Sequence, residues 1–161
     1  MDASALKSTL SQLEFTSPLP AEVHDRIAGC SQEQAISAGQ VVFREGEENH
    51  KLYLIVSGRV ALDMHVPGRG PVRILSLGPG DMLAWSALLG NGRMTATATA
   101  LEETRLIATG VECLRTVCEA DPVVGHALMR QMAVALSRRL VATRLQLLDL
   151  FAETGGSAAH G

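Results

Sequence analysis

Between residues 32 and 107 the chain has no room for a long regular element. Gly39, Gly46, Gly58, Gly68, Gly70, Gly78, Gly80, Gly90 and Gly92 cut it into short runs, with Pro67, Pro71 and Pro79 beside them. Several of these runs alternate apolar and polar residues, which is the pattern of strands with one buried face. Val60, Leu62, Met64 and Val66 fall on one side of a strand, and Arg59, Ala61, Asp63 and His65 on the other. From Met94 to Ala100 the alternation is strict, alanine against threonine. Pro67-Gly68-Arg69-Gly70-Pro71 reads as a hairpin tip, and Leu77-Gly78-Pro79-Gly80-Asp81 as a second tight turn. Short strands at these intervals close into a compact sandwich or barrel.

Helices flank this region. Leu6, Leu10 and Leu13 place a helix over residues 3–14, which Ser17-Pro18-Leu19-Pro20 ends. A second short helix follows from Ala21 to about Ala28. Past Ile107 a short helix spans Gly110 to Cys118. Asp121 then caps a long helix that has Pro122 at its first position and runs to about Phe151. The expected organisation is a helical segment over residues 1–30, a β unit over 31–109, helices over 110–151 forming one domain with it, and a disordered tail over 152–161 containing Gly155-Gly156-Ser157. The fold class is mainly β with flanking helices.

Composition limits the function. A chain of 161 residues with 47% apolar and 19% charged residues has a globular balance, and its net charge of −3 offers no basic surface for nucleic acid. No apolar run reaches the roughly 18 residues that span a bilayer, and the first ten residues lack the pattern of a signal peptide. Cys30, Cys113 and Cys118 are odd in number and lack paired-ligand spacing, so neither a disulfide framework nor a zinc site is expected. Cys113 and Cys118 are read as packing residues, and the compartment as the reducing cytoplasm. His24, His50, His65, His126 and His160 are scattered, no phosphate-loop or metalloprotease motif is present, and Glu45-Gly46-Glu47-Glu48 is read as a solvated turn. A metal site and an enzyme are therefore not expected.

The long helix carries two apolar stripes. Met129, Met132, Leu136, Leu140, Thr143, Leu147 and Leu150 follow a heptad, and Val134, Val141, Leu145 and Leu148 lie on another side. A helix apolar on two sides must bury both. One side can lie on the β unit; a second copy of the helix is the simplest cover for the other, through Met132, Leu136, Leu140 and Leu147. The alternative is a helix buried within its own domain.

In this order of elements, three stretches resemble the cyclic-nucleotide-binding domain of catabolite-activator-type bacterial regulators. They are Gly39 to Glu47, Leu52 to Val60, and Leu77 to Asp81, and the resemblance covers about residues 6–151. It implies a double-stranded β-helix or jelly roll (a β-roll), with N-terminal helices and a long C-terminal helix. It also implies cyclic AMP or cyclic GMP as ligand, held in a cassette after the Gly-Asp turn. There a Gly-Glu pair opens a short helix, the Glu holds the ribose hydroxyl, and an Arg before a Ser/Thr-Ala pair meets the phosphate.

The chain departs from this pattern at three places. Ala84 and Trp85 stand at the Gly-Glu positions, ahead of Ser86 and Ala87 in the short helix. Met94 stands at the arginine position, before Thr95-Ala96. Arg93 is one residue early, and on an alternating strand one residue changes the face. Losing a charge partner for a buried phosphate costs on the order of 3–5 kcal/mol, so weak or absent nucleotide binding is expected. Trp85 either fills the cassette or stacks on a different ligand. Thr143 matches the position from which the family's long helix reaches the purine; otherwise it sets helix register.

No recognition helix fits in the residues after Phe151, so direct DNA binding is not expected. The expected function is a regulatory sensor module that acts through dimerisation and a protein partner. The alternatives are a ligand-free scaffold or docking domain, and the sensory half of a longer transcription regulator.

Overall fold

The computed structural model describes the backbone of residues 2–159 and the side chains through Ala152. Two helices lead: α1 (Ala3–Gln12), whose Asp2 side chain caps Ala5 N–H at 2.8 Å, and α2 (Ala21–Gly29). Leu6, Leu10, Val23 and Ile27 turn inward, and the buried Thr16 hydroxyl donates to the Leu10 carbonyl at 2.5 Å.

Eight strands follow: β1 (Ser31–Ile36), β2 (Val41–Phe43), β3 (Lys51–Ser57), β4 (Val60–Val66), β5 (Gly70–Leu77), β6 (Met82–Leu83), β7 (Thr97–Ala100) and β8 (Thr104–Gly110). They form two antiparallel four-stranded sheets, ordered β1-β8-β3-β6 and β2-β7-β4-β5. Late strands insert between early ones in both sheets, which is the topology of the β-roll that the family resemblance implies. Ile55, Val60, Leu83, Ala98, Leu106 and Ile107 are fully buried in the core. Gly58 shows why one corner needs glycine. Its φ is +96°, and an added Cβ would lie 2.4 Å from the Thr104 hydroxyl and 2.6 Å from the Glu103 carbonyl.

Between β6 and β7 lies α3 (Trp85–Leu89); after β8 come α4 (Val111–Ala120) and α5 (Pro122–Ala159). Asp121 caps α5, accepting from Val123 N–H at 3.1 Å.

Three expectations are corrected here. Cys30 and Cys113 form a disulfide. They are 83 residues apart, but the β1–β8 ladder pairs Ser31 with Thr109, and Gly110 N–H donates to the Cys30 carbonyl at 3.0 Å. That pairing brings the start of α4 beside the end of α2, with Cα atoms 5.6 Å apart, within disulfide range. Cys118 is the free thiol.

Second, α5 continues past Phe151 to Ala159, so residues 152–159 are helical rather than a disordered tail; His160 and Gly161 lie outside the described residues. Each residue added to a formed helix contributes a hydrogen bond, and a glycine costs only about 1 kcal/mol against it.

Third, Met132 is fully buried within its own chain, and Leu136 is half-buried against the same core. Met132 is therefore closed to a second copy, because α5 crosses the roll at this level, while Leu136 stays partly exposed. The seam is exposed at Met129 and again from Leu140.

Candidate functional site

The cassette begins at the turn after β5. Gly78 N–H donates to the Asp81 carboxylate at 2.9 Å, and Gly80 N–H to the Ile55 carbonyl at 2.8 Å, which pins the turn to β3. The chain then passes through β6 to Ala84, whose φ is 68° and ψ 39°. Ala84 is the one non-glycine with positive φ among the described residues. The backbone therefore keeps the left-handed bend that suits glycine, and an alanine occupies it at a cost of about 1–2 kcal/mol.

The short helix α3 starts there and is held from both ends. The Ser86 hydroxyl donates to the Arg93 carbonyl at 2.8 Å, and Gly92 N–H to the Ser86 carbonyl at 3.1 Å. The Arg115 guanidinium, from α4, donates to the carbonyls of Ala87 at 3.0 Å and Leu88 at 3.2 Å, closing the helix's C-terminal end. Ala87 is buried in the core and does not face the cavity.

Residues 93–96 continue the alternation toward β7. Arg93 forms an antiparallel bridge with Glu48, donates to the Gly46 carbonyl at 3.1 Å and lies 3.9 Å from the Glu48 carboxylate, with its side chain 62% exposed. Met94 faces inward, 3% exposed. Arg93 is thus turned out of the cassette, and the inward position holds a thioether.

Within the roll is a cavity of about 290 Å³. Its floor is Phe43, Leu62, Met64, Ile74 and Leu75; one side is Ala84, Trp85 and Ser86, another Met94, Thr95 and Ala96. Ile74 and Leu75 are consecutive yet both face it, because the β4–β5 register shifts between Leu62 and Asp63 and a bulge breaks the alternation. Helix α5 closes the last side with Leu136, Arg139, Leu140 and Thr143. Trp85 is half-buried and stands in the wall without filling the space. The Thr143 hydroxyl donates to the Arg139 carbonyl one turn back, at 2.7 Å.

Of the eight cassette residues singled out in the sequence, Ala84, Trp85, Ser86, Met94, Thr95 and Thr143 line this cavity, while Ala87 and Arg93 do not. Arg139 lines it and was missed. Its guanidinium donates to the Met82 carbonyl, tying α5 to β6. Burial pulls its pKa below the ordinary arginine range, and the nearby Asp81 carboxylate opposes that shift. The available signal was its place four residues before Thr143, on the same helix face. A second cleft, of about 420 Å³, lies between the N-terminal segment, β5 and α5. Arg139 borders it too, and Arg138 pairs with Glu14 there.

The sequence model described as the cyclic nucleotide-binding domain matches residues 33–121. A CRP-like cAMP-activated global transcriptional regulator of Mycobacterium tuberculosis is 32% identical over 122 residues, covering 75% of this chain and 53% of that protein. The cyclic AMP receptor protein of Thermus thermophilus is 34% identical over 117 residues, 72% of this chain and 52% of that one. The chain thus spans about half the length of these curated relatives. Among solved structures, a putative cyclic nucleotide-binding protein from Geobacter metallireducens superposes with a TM-score of 0.74 at 27% identity, over 83% of this chain and 97% of that one.

Proposed function

Because this chain belongs to the cyclic nucleotide-binding domain family, we propose that it is a regulatory sensor module in which ligand in the roll cavity moves α5. The observation that carries this is α5's double role. Leu136, Arg139, Leu140 and Thr143 form one wall of the cavity, and the same helix goes on to expose Val141, Leu145, Leu147, Leu148 and Phe151. A ligand that packs against the wall has a differential affinity for helix positions, which is what shifts a population. The exposed apolar face is covered by α5 of a second copy, its heptad spacing at Leu140 and Leu147 matching itself across a two-fold axis. A protein partner reads the dimer's state, and no catalysis is involved.

Cyclic AMP and cyclic GMP, the family's ligands, bind weakly in this reading, because Met94 supplies no charge and Trp85 no carboxylate. Calorimetry with both nucleotides, with hydrogen exchange along α5, tests it. The expectation is binding weaker than micromolar, with exchange in α5 changing at saturation. Micromolar affinity for either nucleotide overturns the cassette argument, and α5 exchange indifferent to a bound ligand overturns the sensor.

The engagement of Arg93 with Gly46 and Glu48 favours a second reading, a scaffold that has given up ligand altogether. An open cavity with Trp85 in its wall supports sensing over this alternative.

A further inference from the structure

The two guanidinium groups nearest the roll cavity are both engaged outside it. Arg139 borders the cavity, yet its partners, the Met82 carbonyl and the Asp81 carboxylate, line the cleft beside the N-terminal segment and not the cavity. Arg93 is turned out to Gly46 and Glu48. The hydroxyls in the wall are spent as well. Ser86 donates to the Arg93 carbonyl and Thr143 to the Arg139 carbonyl, while Thr95 is an exposed residue. What remains is hydrocarbon, aromatic ring and thioether: Phe43, Leu62, Met64, Trp85, Met94 and Leu136.

Such a wall sets the chemistry of its occupant. A ligand hydroxyl buried here without a partner costs about tenfold or more in affinity, and an unpaired anion costs more. An uncharged apolar body loses nothing and covers apolar wall that water otherwise wets. Size follows from the volume. An apolar cavity of about 150 Å³ accommodates a benzene ring, so one of about 290 Å³ has room for two fused rings. Two aromatic side chains and two thioethers in the lining favour a flat aromatic molecule over a saturated one, because rings and sulfur both pack well on an aromatic surface. We propose that the cavity binds a neutral aromatic molecule of about two rings, lying against Trp85 and Met94. The proposal rests on the reading of this cavity as the sensing site. It names the ligand class: with Trp85 and Met94 at the two positions where the family resemblance implies charged side chains, the site is recast for an uncharged ligand. Leu136 and Leu140 of α5 also line the cavity, so the ligand packs directly on the helix that the sensing reading requires to move.

The chain's single tryptophan lies in the wall, so its one indole N–H resonance reports on this cavity. The probes are naphthalene, 2-naphthoate and cyclic AMP, titrated by that resonance and by calorimetry, with hydrogen exchange along α5 followed at saturation. Naphthalene is expected to bind at least about tenfold more tightly than 2-naphthoate, which must bury an unpaired carboxylate. Ala96→Phe, which places a ring in the cavity space, should weaken naphthalene about tenfold or more. A thermal melt establishes that this variant is folded, and the naphthalene–naphthoate comparison on the unmodified protein stands without it. Binding of 2-naphthoate as tight as that of naphthalene overturns the proposal, as does naphthalene affinity unchanged in folded Ala96→Phe. A response to cyclic AMP without one to naphthalene overturns the ligand class and leaves the sensing reading intact. Naphthalene bound at Trp85 with α5 exchange unchanged supports the ligand class and overturns the sensing reading. No response to any of the three overturns the proposal.

Discussion

The Arg93 guanidinium donates to the Gly46 carbonyl at 3.1 Å, on the outer side of the cassette, while Met94, its immediate neighbour, is buried in the cavity wall. One step along an alternating backbone separates a solvated cation from the inward position, and it decides what the cavity can hold. An arginine at 94 would face a ligand phosphate; an arginine at 93 braces the corner at Gly46 instead.

Met94→Arg tests this directly. A guanidinium placed among apolar side chains with no anion should lower stability by about 2–4 kcal/mol in urea denaturation. Saturating cyclic AMP should restore part of that loss, more so when Trp85→Glu is added. A Met94→Arg protein as stable as the parent and unresponsive to cyclic AMP would show that residue 94 does not face the ligand space.

Ala84 should be improved by losing its methyl group. Its left-handed φ of 68° is cheap for glycine and costly for alanine. Ala84→Gly is expected to gain about 1 kcal/mol, or roughly 2–4 °C in Tm. A fall in Tm in a calorimetric scan contradicts the strain argument.

Two corner glycines should respond differently. At Gly58 a Cβ meets main chain at 2.6 Å, so Gly58→Ala should lose about 3–5 kcal/mol. At Gly46 φ is also positive, +84°, but no heavy atom lies within 4 Å, so Gly46→Ala should lose only about 1 kcal/mol. Equal losses in parallel denaturation curves would refute the distinction.

The disulfide gives a redox-dependent stability. With Cys30 and Cys113 separated by 83 positions, the loop-entropy model assigns the bond about 4 kcal/mol. Reduction, or Cys113→Ser, should lower the denaturation midpoint accordingly. Thiol titration of the unfolded, unreduced chain should find one reactive sulfur, that of Cys118. Three would mean that the bond does not form.

Leu147→Glu places a charge on the exposed stretch of α5, one turn beyond Thr143 and outside the cavity lining. If the helices pair, sedimentation at tens of micromolar should show a dimer for the parent chain and a monomer for the variant. A parent chain that is already monomeric removes the self-pairing. The complementary control is Met132→Ala, which should destabilise the fold by about 2–5 kcal/mol, because that side chain is buried within its own chain.

Much of this could be read from residue order. Glycine and proline punctuate the roll because corners demand particular backbone angles, and those demands are local. Gly58 at φ +96° and the capping of α5 by Asp121 are both visible as residue types at set positions. The facing of Met94 and Arg93 was legible too, because alternation along a strand is built into the backbone. The bulge that turns both Ile74 and Leu75 to the cavity was not, since it depends on how β5 registers against β4.

Residue order alone specifies a compact unit of short strands, its flanking helices, and an apolar side chain rather than a cation at the inward position of residue 94. All three follow from backbone preferences and side-chain periodicity over a few residues. Only the packed fold brings Cys30 to Cys113, buries Met132 in the core of its own chain, and sets Arg139 between α5 and β6 at the edge of the cavity. Those outcomes depend on where α5 crosses the roll and which strand ends lie side by side. Such contacts are made between residues tens of positions apart, through packing that no local pattern encodes.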